Sequence, residues 1–104
     1  MTNNNIYFIA NWKMFGSVKS VNLLNKVISY SKIKKPKAKI IYCPPYTLIK
    51  SFVDKTKNSN IEIGAQDCHV HPNYGPFTGA ISSKMIKDLG CKFVIIGHSE
   101  TRVE

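Results

Sequence analysis

The sequence predicts an α/β fold in which parallel strands alternate with helices, and two observations carry this prediction. Residues 93–96 (Phe-Val-Ile-Ile) form an uninterrupted apolar run. A run of this kind is typical of a strand that is buried on both faces of a parallel sheet. Elsewhere, short apolar runs alternate with stretches whose apolar residues have helical spacing, which gives the order βαβαβαβ. This order is the signature of a parallel sheet with right-handed crossovers.

Each predicted element has a local signature in the sequence. Strands are predicted at 6–10, 38–43, 61–63 and 93–96. Helices are predicted between them at about 17–31, 47–57 and 82–89. The first helix has Val21, Leu24 and Ile28 on one face. The apolar positions of the other two helices are Leu48, Ile49, Phe52, Val53, Ile81, Met85, Ile86 and Leu89. Gly90 is expected to cap the third helix.

The composition argues against several classes of protein. The net charge is +9, but Arg102 is the only arginine among 15 basic residues. Because specific recognition of bases and phosphates favours arginine, we interpret the charge as a solvated basic face and expect no nucleic-acid partner. No apolar run reaches the ~18 residues of a membrane helix, so we expect no membrane partner. Three scattered cysteines without a Cys-x-x-Cys pair are typical of reduced thiols in a cytoplasmic protein.

Polar residues follow the predicted strands at their carboxyl ends, where α/β proteins bind ligands. His98 follows the fourth strand, and Ser99 with Glu100 is suited to start the next helix. A helix N-terminus favours the neutral imidazole, which can donate a hydrogen bond to a carbonyl oxygen. Lys13 follows the first strand and would suit an anionic substrate or a developing oxyanion. Taken alone, Lys13 is more simply interpreted as a surface lysine.

A metal site is an alternative for the long loop at 66–79, which is rich in Gly, Pro and Asn. Cys68, His69 and His71 lie close together there, and a His-x-His pair on an extended segment points both rings to one side. Histidines in long polar loops commonly bind nothing, and only Asp67 offers a fourth ligand. The sequence alone therefore favours no metal at this loop.

Five segments together resemble one known family. They are Asn11-Trp12-Lys13-Met14, Pro44-Pro45, Gly64-Ala65-Gln66, Phe77-Thr78-Gly79 and Gly97-His98-Ser99-Glu100. In this order, and at these strand ends and loops, they are similar to the successive motifs of the triosephosphate isomerase family. The resemblance implies that residues 1–104 are the N-terminal portion of a single (β/α)8 barrel domain. That portion comprises βα units 1–4, with the fourth helix missing.

The resemblance also implies a reaction. The family interconverts dihydroxyacetone phosphate and D-glyceraldehyde 3-phosphate in glycolysis and gluconeogenesis through an enediolate, with no cofactor and no metal. The family is a standard example of how pKa values are tuned in catalysis. The residue roles that follow are those that the resemblance implies. By matching motifs, His98 would be the neutral electrophile that polarises the substrate carbonyl. Lys13 would supply positive charge to the substrate and the enediolate, and Asn11 would contact the substrate beside it. Glu100 would hold the lysine in place.

The resemblance extends to assembly and also shows departures. By the resemblance, the loop from His69 to Gly79 would insert Phe77 and Thr78 beside the partner's active site in a cytoplasmic homodimer. Phe15, Ala80 and Thr101 stand where the family usually has other residues, a polar one at 15 and an acidic one at 80. The family's catalytic glutamate, closing lid and phosphate-binding loops come after later strands, on segments this chain does not contain. An inactive half-barrel that serves as an anion-binding or assembly module is therefore the alternative function.

Overall fold

The predicted strands form one parallel sheet in which neighbours along the chain are also neighbours in space. The computed structural model describes residues 6–33 and 38–97, and the statements below concern those residues. The strands are β1 (Ile6–Asn11), β2 (Ala38–Cys43), β3 (Ile61–Ala65) and β4 (Phe93–Val94). Because the strands follow one another in order and right-handed crossovers are the rule, the connecting helices lie on one face of the sheet.

The helices follow the sequence prediction, with one change of type. The first predicted helix is a 3-10 helix (Val18–Leu23) that continues into α1 (Leu24–Ile33). A tight turn begins it, because the Ser20 N–H donates to the carbonyl of Ser17 and the Ser20 hydroxyl accepts from the Ser17 N–H, both at 2.8 Å. The others are α2 (Tyr46–Thr56) and α3 (Ser83–Asp88). Within the described ranges, no helix has the length and apolar character needed to span a membrane.

The core lies between the helices and the face of the sheet that they cover. Helix α2 contributes Leu48, Ile49 and Phe52, each with at most 2% of its surface exposed. Full burial of such side chains contributes roughly 2 kcal/mol each. The other buried members of the cluster are Leu24, Ile61, Ile63, Ala65, Ile86 and Cys91. The sequence-predicted face of α2 is therefore buried in the core. In α3, Ile86 is buried as predicted, but Met85, predicted for the same face, is 37% exposed.

The end of α3 required a glycine, as the sequence predicted. Gly90 has φ +105°, and its N–H donates to the carbonyl of Lys87 at 2.9 Å. A Cβ at this position would stand 2.8 Å from a methyl carbon of Val53. Both the left-handed backbone and the close approach to α2 therefore disfavour a side chain at residue 90.

The opposite face of the sheet is concave. Tyr7 on β1 and Phe93 on β4 meet edge to face, with ring centroids 6.3 Å apart, although two strands lie between them. Flat strands spaced about 4.8 Å apart would hold these residues more than twice as far from each other. Gly64 permits the close packing inside this curve, because a Cβ there would lie 3.0 Å from Cys43 Sγ. The sheet is therefore strongly curled, as in part of a barrel.

One expectation about the sheet was wrong. Residues 93–96 were expected to form a strand buried on both faces, but β4 contains only Phe93 and Val94. Val94 is 37% exposed and Ile96 is 72% exposed. These side chains are exposed because β4 is an edge strand: among the described residues it pairs only with β3 and has no neighbour on its other side. The same holds for β1, whose Tyr7 and Ile9 are half exposed.

Candidate active site

Two of the predicted site residues, Asn11 and Lys13, lie at the carboxyl edge of the sheet. Asn11 is the last residue of β1 and pairs with Cys43, the last residue of β2. Lys13 follows two residues later, and Gln66 comes directly after β3. The N–H of Trp12 donates to the Cys43 carbonyl at 3.1 Å, which extends the pairing of β1 and β2 up to the lysine. Asn11 and Lys13 therefore lie at the same strand end, beside the end of β2.

Trp12 fastens this edge to the core. Its ring meets Phe52 edge to face at 5.1 Å between centroids, and Tyr42 at 6.3 Å. Aromatic pairs of this geometry contribute about 1 kcal/mol beyond simple burial. Because Trp12 lies between Asn11 and Lys13 in the chain, its packing fixes the backbone on which both polar side chains are mounted.

Lys13 has a backbone conformation that is rare for a residue with a side chain. Its φ is 55°, and no other non-glycine residue in the described ranges has a positive φ. The left-handed region costs a non-glycine residue roughly 1–2 kcal/mol. Such strain persists only where surrounding contacts enforce it, and it is concentrated at functional sites. The side chain of Lys13 is exposed at the mouth of the sheet.

Two side-chain amides bind the peptide groups of Lys13. The Lys13 N–H donates to Asn11 Oδ1 at 2.8 Å. Gln66 Nε2 donates to the Lys13 carbonyl at 2.7 Å and to the Cys43 carbonyl at 3.0 Å. Gln66 was recognised in the sequence only as part of the Gly-Ala-Gln motif, without a role of its own. Its contact with Lys13 joins residues 53 positions apart, and no local sequence pattern signals such a contact.

The chain reaches the same edge after β4. The Ile95 N–H donates to the Ala65 carbonyl at 2.9 Å, so the chain beyond β4 still runs beside the end of β3. Gly97 has φ +72°, which confirms the sharp turn expected there. His98 and Glu100, the other two predicted site residues of this segment, lie outside the described residues. Thr101 lies outside them as well.

The loop after β3 is braced by its own backbone and by rings. The His69 N–H donates to the Ile81 carbonyl at 2.8 Å, and the Ala80 N–H donates to the Phe77 carbonyl at 3.1 Å. The Phe77 ring lies 4.5 Å from the His69 ring and 5.4 Å from the His71 ring, between centroids. These contacts occur in a loop that has alanine, not an acidic residue, at position 80.

The two histidines of this loop are engaged with the backbone. The His71 N–H donates to His69 Nδ1 at 3.0 Å, and His71 Nε2 lies 3.0 Å from the Tyr74 carbonyl oxygen. In the part of the chain that the structure describes, no three His, Cys, Asp or Glu side chains are grouped so that they could hold a metal ion. The geometry thus gives no support to a site built from Cys68, His69 and His71.

Tyr46 anchors the start of the loop. Its hydroxyl donates to the Asp67 carbonyl at 2.6 Å. Burial, together with the nearby Asp67 carboxylate and Cys68, raises the pKa of Tyr46 to about 12. The hydroxyl therefore remains a hydrogen-bond donor across the physiological pH range, and α2 is tied to the end of β3 through it.

The three cysteines are free thiols. Burial raises the pKa of Cys43 to about 11 and is partly offset by a hydrogen bond with the Gly64 backbone. Burial, and then the proximity of Cys43, raises the pKa of Cys91 to about 11. Because the thiolate is the reactive form, these two cysteines are packing residues and do not belong to the candidate site.

The fold and the site define a class of protein: an α/β barrel in part, with its polar site at the carboxyl ends of parallel strands. The chain belongs to the triosephosphate isomerase family, whose sequence model matches residues 6–104. It is 44% identical over 93 residues to triosephosphate isomerase of Wolbachia pipientis wMel, covering 88% of this chain and 36% of that protein. It is 42% identical over 98 residues to the enzyme of Lawsonia intracellularis, covering 93% of this chain and 38% of that protein.

A solved structure shows the same fold. The crystal structure of triosephosphate isomerase from Bartonella henselae superimposes with a TM-score of 0.80 at 37% sequence identity. The match covers 91% of this chain and 38% of that one. The chain thus spans a little over a third of the length of the relatives that it matches, which is consistent with an N-terminal fragment of the barrel.

Proposed function

We propose that this chain is part of a triosephosphate isomerase that interconverts dihydroxyacetone phosphate and D-glyceraldehyde 3-phosphate through an enediolate, in glycolysis and gluconeogenesis. The observation that carries the proposal is Lys13, an exposed cation held in a strained backbone conformation at the carboxyl edge of the sheet. Backbone strain of this kind is concentrated at functional sites, and the carboxyl edge of a parallel sheet is where such proteins bind ligands. Membership of the family supplies the substrate class.

In this proposal Lys13 and Asn11 bind the substrate. The ammonium of Lys13 neutralises the phosphate and the negative charge that develops on the enediolate oxygens, and the Asn11 side chain contacts a substrate oxygen. His98 acts as the neutral electrophile at the carbonyl, and Glu100 holds Lys13 in place. These four residues lie in the two segments, 11–14 and 97–100, that match motifs of the family. The catalytic glutamate, the lid and the phosphate-binding loops belong to the part of the barrel that this chain does not cover.

We also propose that the protein is a homodimer whose loop from His69 to Gly79 inserts into the partner. Support comes from exposed apolar side chains on that loop: Val70 is 94% exposed, Tyr74 64% and Phe77 46%. Exposed apolar groups clustered on one loop are typical of an interaction surface. Phe77 and Thr78 would lie beside the partner's site. The free thiols support a cytoplasmic location, and we expect neither nucleic-acid nor membrane partners.

The test is turnover of dihydroxyacetone phosphate by the protein expressed from its complete gene. Lys13→Ala and His98→Ala should each lower kcat/KM by at least about 10²-fold, because each group acts on developing charge. Lys19→Ala is the matched control, since Lys19 is another exposed lysine on the segment after β1. Its turnover should equal that of the wild type. Wild-type turnover that survives both substitutions would contradict the proposed roles.

The alternative function has a different outcome in the same assay. A chain that spans a little over a third of its relatives would suit a catalytically inactive half-barrel with an anion-binding or assembly role. That function predicts no turnover by the wild type, together with saturable binding of inorganic phosphate that Lys13→Ala abolishes. Turnover by the wild type excludes it.

A further inference from the structure

We infer that Gln66 is a positioning residue whose side-chain amide keeps Lys13 in its left-handed conformation and thereby aims the ammonium at the substrate. That the Lys13 ammonium meets a substrate rests on the proposed function. The holding of the backbone stands on geometry alone. Gln66 touches no reacting atom in this scheme, so it acts only through Lys13.

The hydrogen-bonding capacity of the amide fits this role. A primary amide nitrogen has two hydrogens to donate, and Gln66 Nε2 lies 2.7 Å from the Lys13 carbonyl oxygen and 3.0 Å from the Cys43 carbonyl oxygen. Both neighbours are acceptors, so the nitrogen, and not the oxygen, of the amide must face them. The side chain therefore fastens the lysine peptide to the end of β2.

Two side chains bind the two peptide groups of Lys13. Asn11 Oδ1 accepts from the Lys13 N–H at 2.8 Å, and Gln66 binds the carbonyl of the same residue. A single contact would leave one of the two peptide planes free to rotate. With both planes fixed, φ and ψ of Lys13 are set together. Asn11 reaches the lysine from its own strand, whereas Gln66 reaches it from β3 and links the two strand ends.

Alternatives for Gln66 on the same surface are weaker. Gln66 is half-buried beneath the edge, and its amide nitrogen is directed at carbonyl groups of the protein itself. A residue that bound substrate through this nitrogen would have to give up two hydrogen bonds to the backbone. The Cys43 carbonyl also accepts from the Trp12 N–H, whereas the Lys13 carbonyl accepts from Gln66, which reaches it from the end of β3.

The first readout is the conformation of Lys13, observed by NMR in the protein expressed from its complete gene. A positive φ brings the amide hydrogen and the Hα of one residue close together, which gives a strong intraresidue NOE. Gln66→Met keeps the length of the side chain and removes both donors, so the Lys13 NOE should weaken. Asn73→Leu is the control. It removes a side-chain amide whose oxygen accepts a hydrogen bond from the neighbouring Tyr74 N–H at 2.8 Å. It should leave the Lys13 NOE unchanged.

The second readout is turnover of dihydroxyacetone phosphate. Displacing a substrate-binding group by about 1 Å can cost on the order of 10²-fold in rate, so Gln66→Met should lower kcat/KM by roughly 10- to 100-fold. In the Lys13→Ala background the same substitution should change kcat/KM by less than about twofold, because its effect passes through the lysine. An equal loss in both backgrounds would show a general structural role and overturn the inference.

The two readouts separate the possible failures. A strong Lys13 NOE in Gln66→Met overturns the inference, whatever the turnover. A lost NOE with unchanged turnover overturns the claim that Gln66 aims the Lys13 ammonium, whereas the proposed function is judged by the turnover of Lys13→Ala. If wild-type protein shows no turnover, the proposed function fails while the NOE still decides whether Gln66 holds Lys13. Should Gln66→Met fold poorly, Gln66→Glu at pH 8 offers a side chain of the same shape that cannot donate, and the same results are expected.

Discussion

The strain at Lys13 yields a prediction about stability that does not depend on any catalytic assay. Replacing Lys13 by alanine removes the ammonium and keeps the Cβ, whereas replacing it by glycine removes both. The backbone at this position has φ 55°. A Cβ costs roughly 1–2 kcal/mol in this region, and glycine avoids this strain. Glycine in turn loses about 0.5–1 kcal/mol more conformational entropy on folding.

The difference between these terms gives the expected result. Lys13→Gly should be more stable than Lys13→Ala by about 1 kcal/mol. Urea unfolding, monitored by tryptophan fluorescence, measures this difference as a shift in the midpoint. With a slope of about 1–3 kcal/mol per molar urea, the Lys13→Gly midpoint should lie roughly 0.3–1 M above that of Lys13→Ala.

A control with the opposite sign is available on α1. Lys26 is exposed and helical, so glycine there should be less stable than alanine by about 0.8–1 kcal/mol. The comparison is matched because both positions start as exposed lysines. If Lys13→Ala proves more stable than Lys13→Gly by the margin found at Lys26, the backbone of Lys13 is not strained. The proposal that the Asn11 and Gln66 side chains hold Lys13 in a strained conformation would then have no basis.

Two further predictions concern the core. Folding raises the pKa of Cys43 and Cys91 from 9.0 to about 11. The stability that the two protonated thiols contribute is therefore complete below pH 9 and is lost as the pH rises from 9 towards 11. The loss is about 1.4 kcal/mol per pH unit for each thiol. Urea midpoints at pH 8, 9 and 10 should fall more steeply in the wild type than in Cys43→Ala/Cys91→Ala, and equal slopes would argue against buried, protonated thiols. Gly90→Ala should destabilise by about 2 kcal/mol, since it combines a positive φ with a contact of the new Cβ to Val53. Val53→Ala should recover part of that loss in the double variant, and an unchanged urea midpoint in Gly90→Ala would contradict the geometry.

The architecture could be predicted because it is encoded in local patterns. β2 begins at Ala38 and ends at Cys43, as the apolar run indicated. The buried face of α2 was evident from the helical spacing of Leu48, Ile49 and Phe52. The glycine at position 90 marked the end of α3 for the reason that the structure shows, a positive φ. Each of these features depends on residues within a few positions of one another.

What could not be predicted depends on contacts between distant parts of the chain. The exposure of Val94 and Ile96 follows from the position of β4 at the edge of the sheet, and their apolar character gives no indication of that. The positive φ of Lys13 is unusual for lysine, and the carbonyl of Lys13 accepts a hydrogen bond from Gln66, 53 residues away. The sequence identified Lys13 as a candidate by its place after a strand. Only the folded chain shows that its conformation is strained and how it is held.

The central claim is that Lys13 binds the substrate, and the most direct measurement is its own resonance. In protein expressed from its complete gene and labelled with 15N-lysine, the Lys13 ammonium signal can be assigned by its absence in Lys13→Ala. Titration with dihydroxyacetone phosphate should shift this signal in a saturable manner while the signal of Lys19 stays in place. A Lys13 signal that does not move while the substrate is being turned over would contradict the claim.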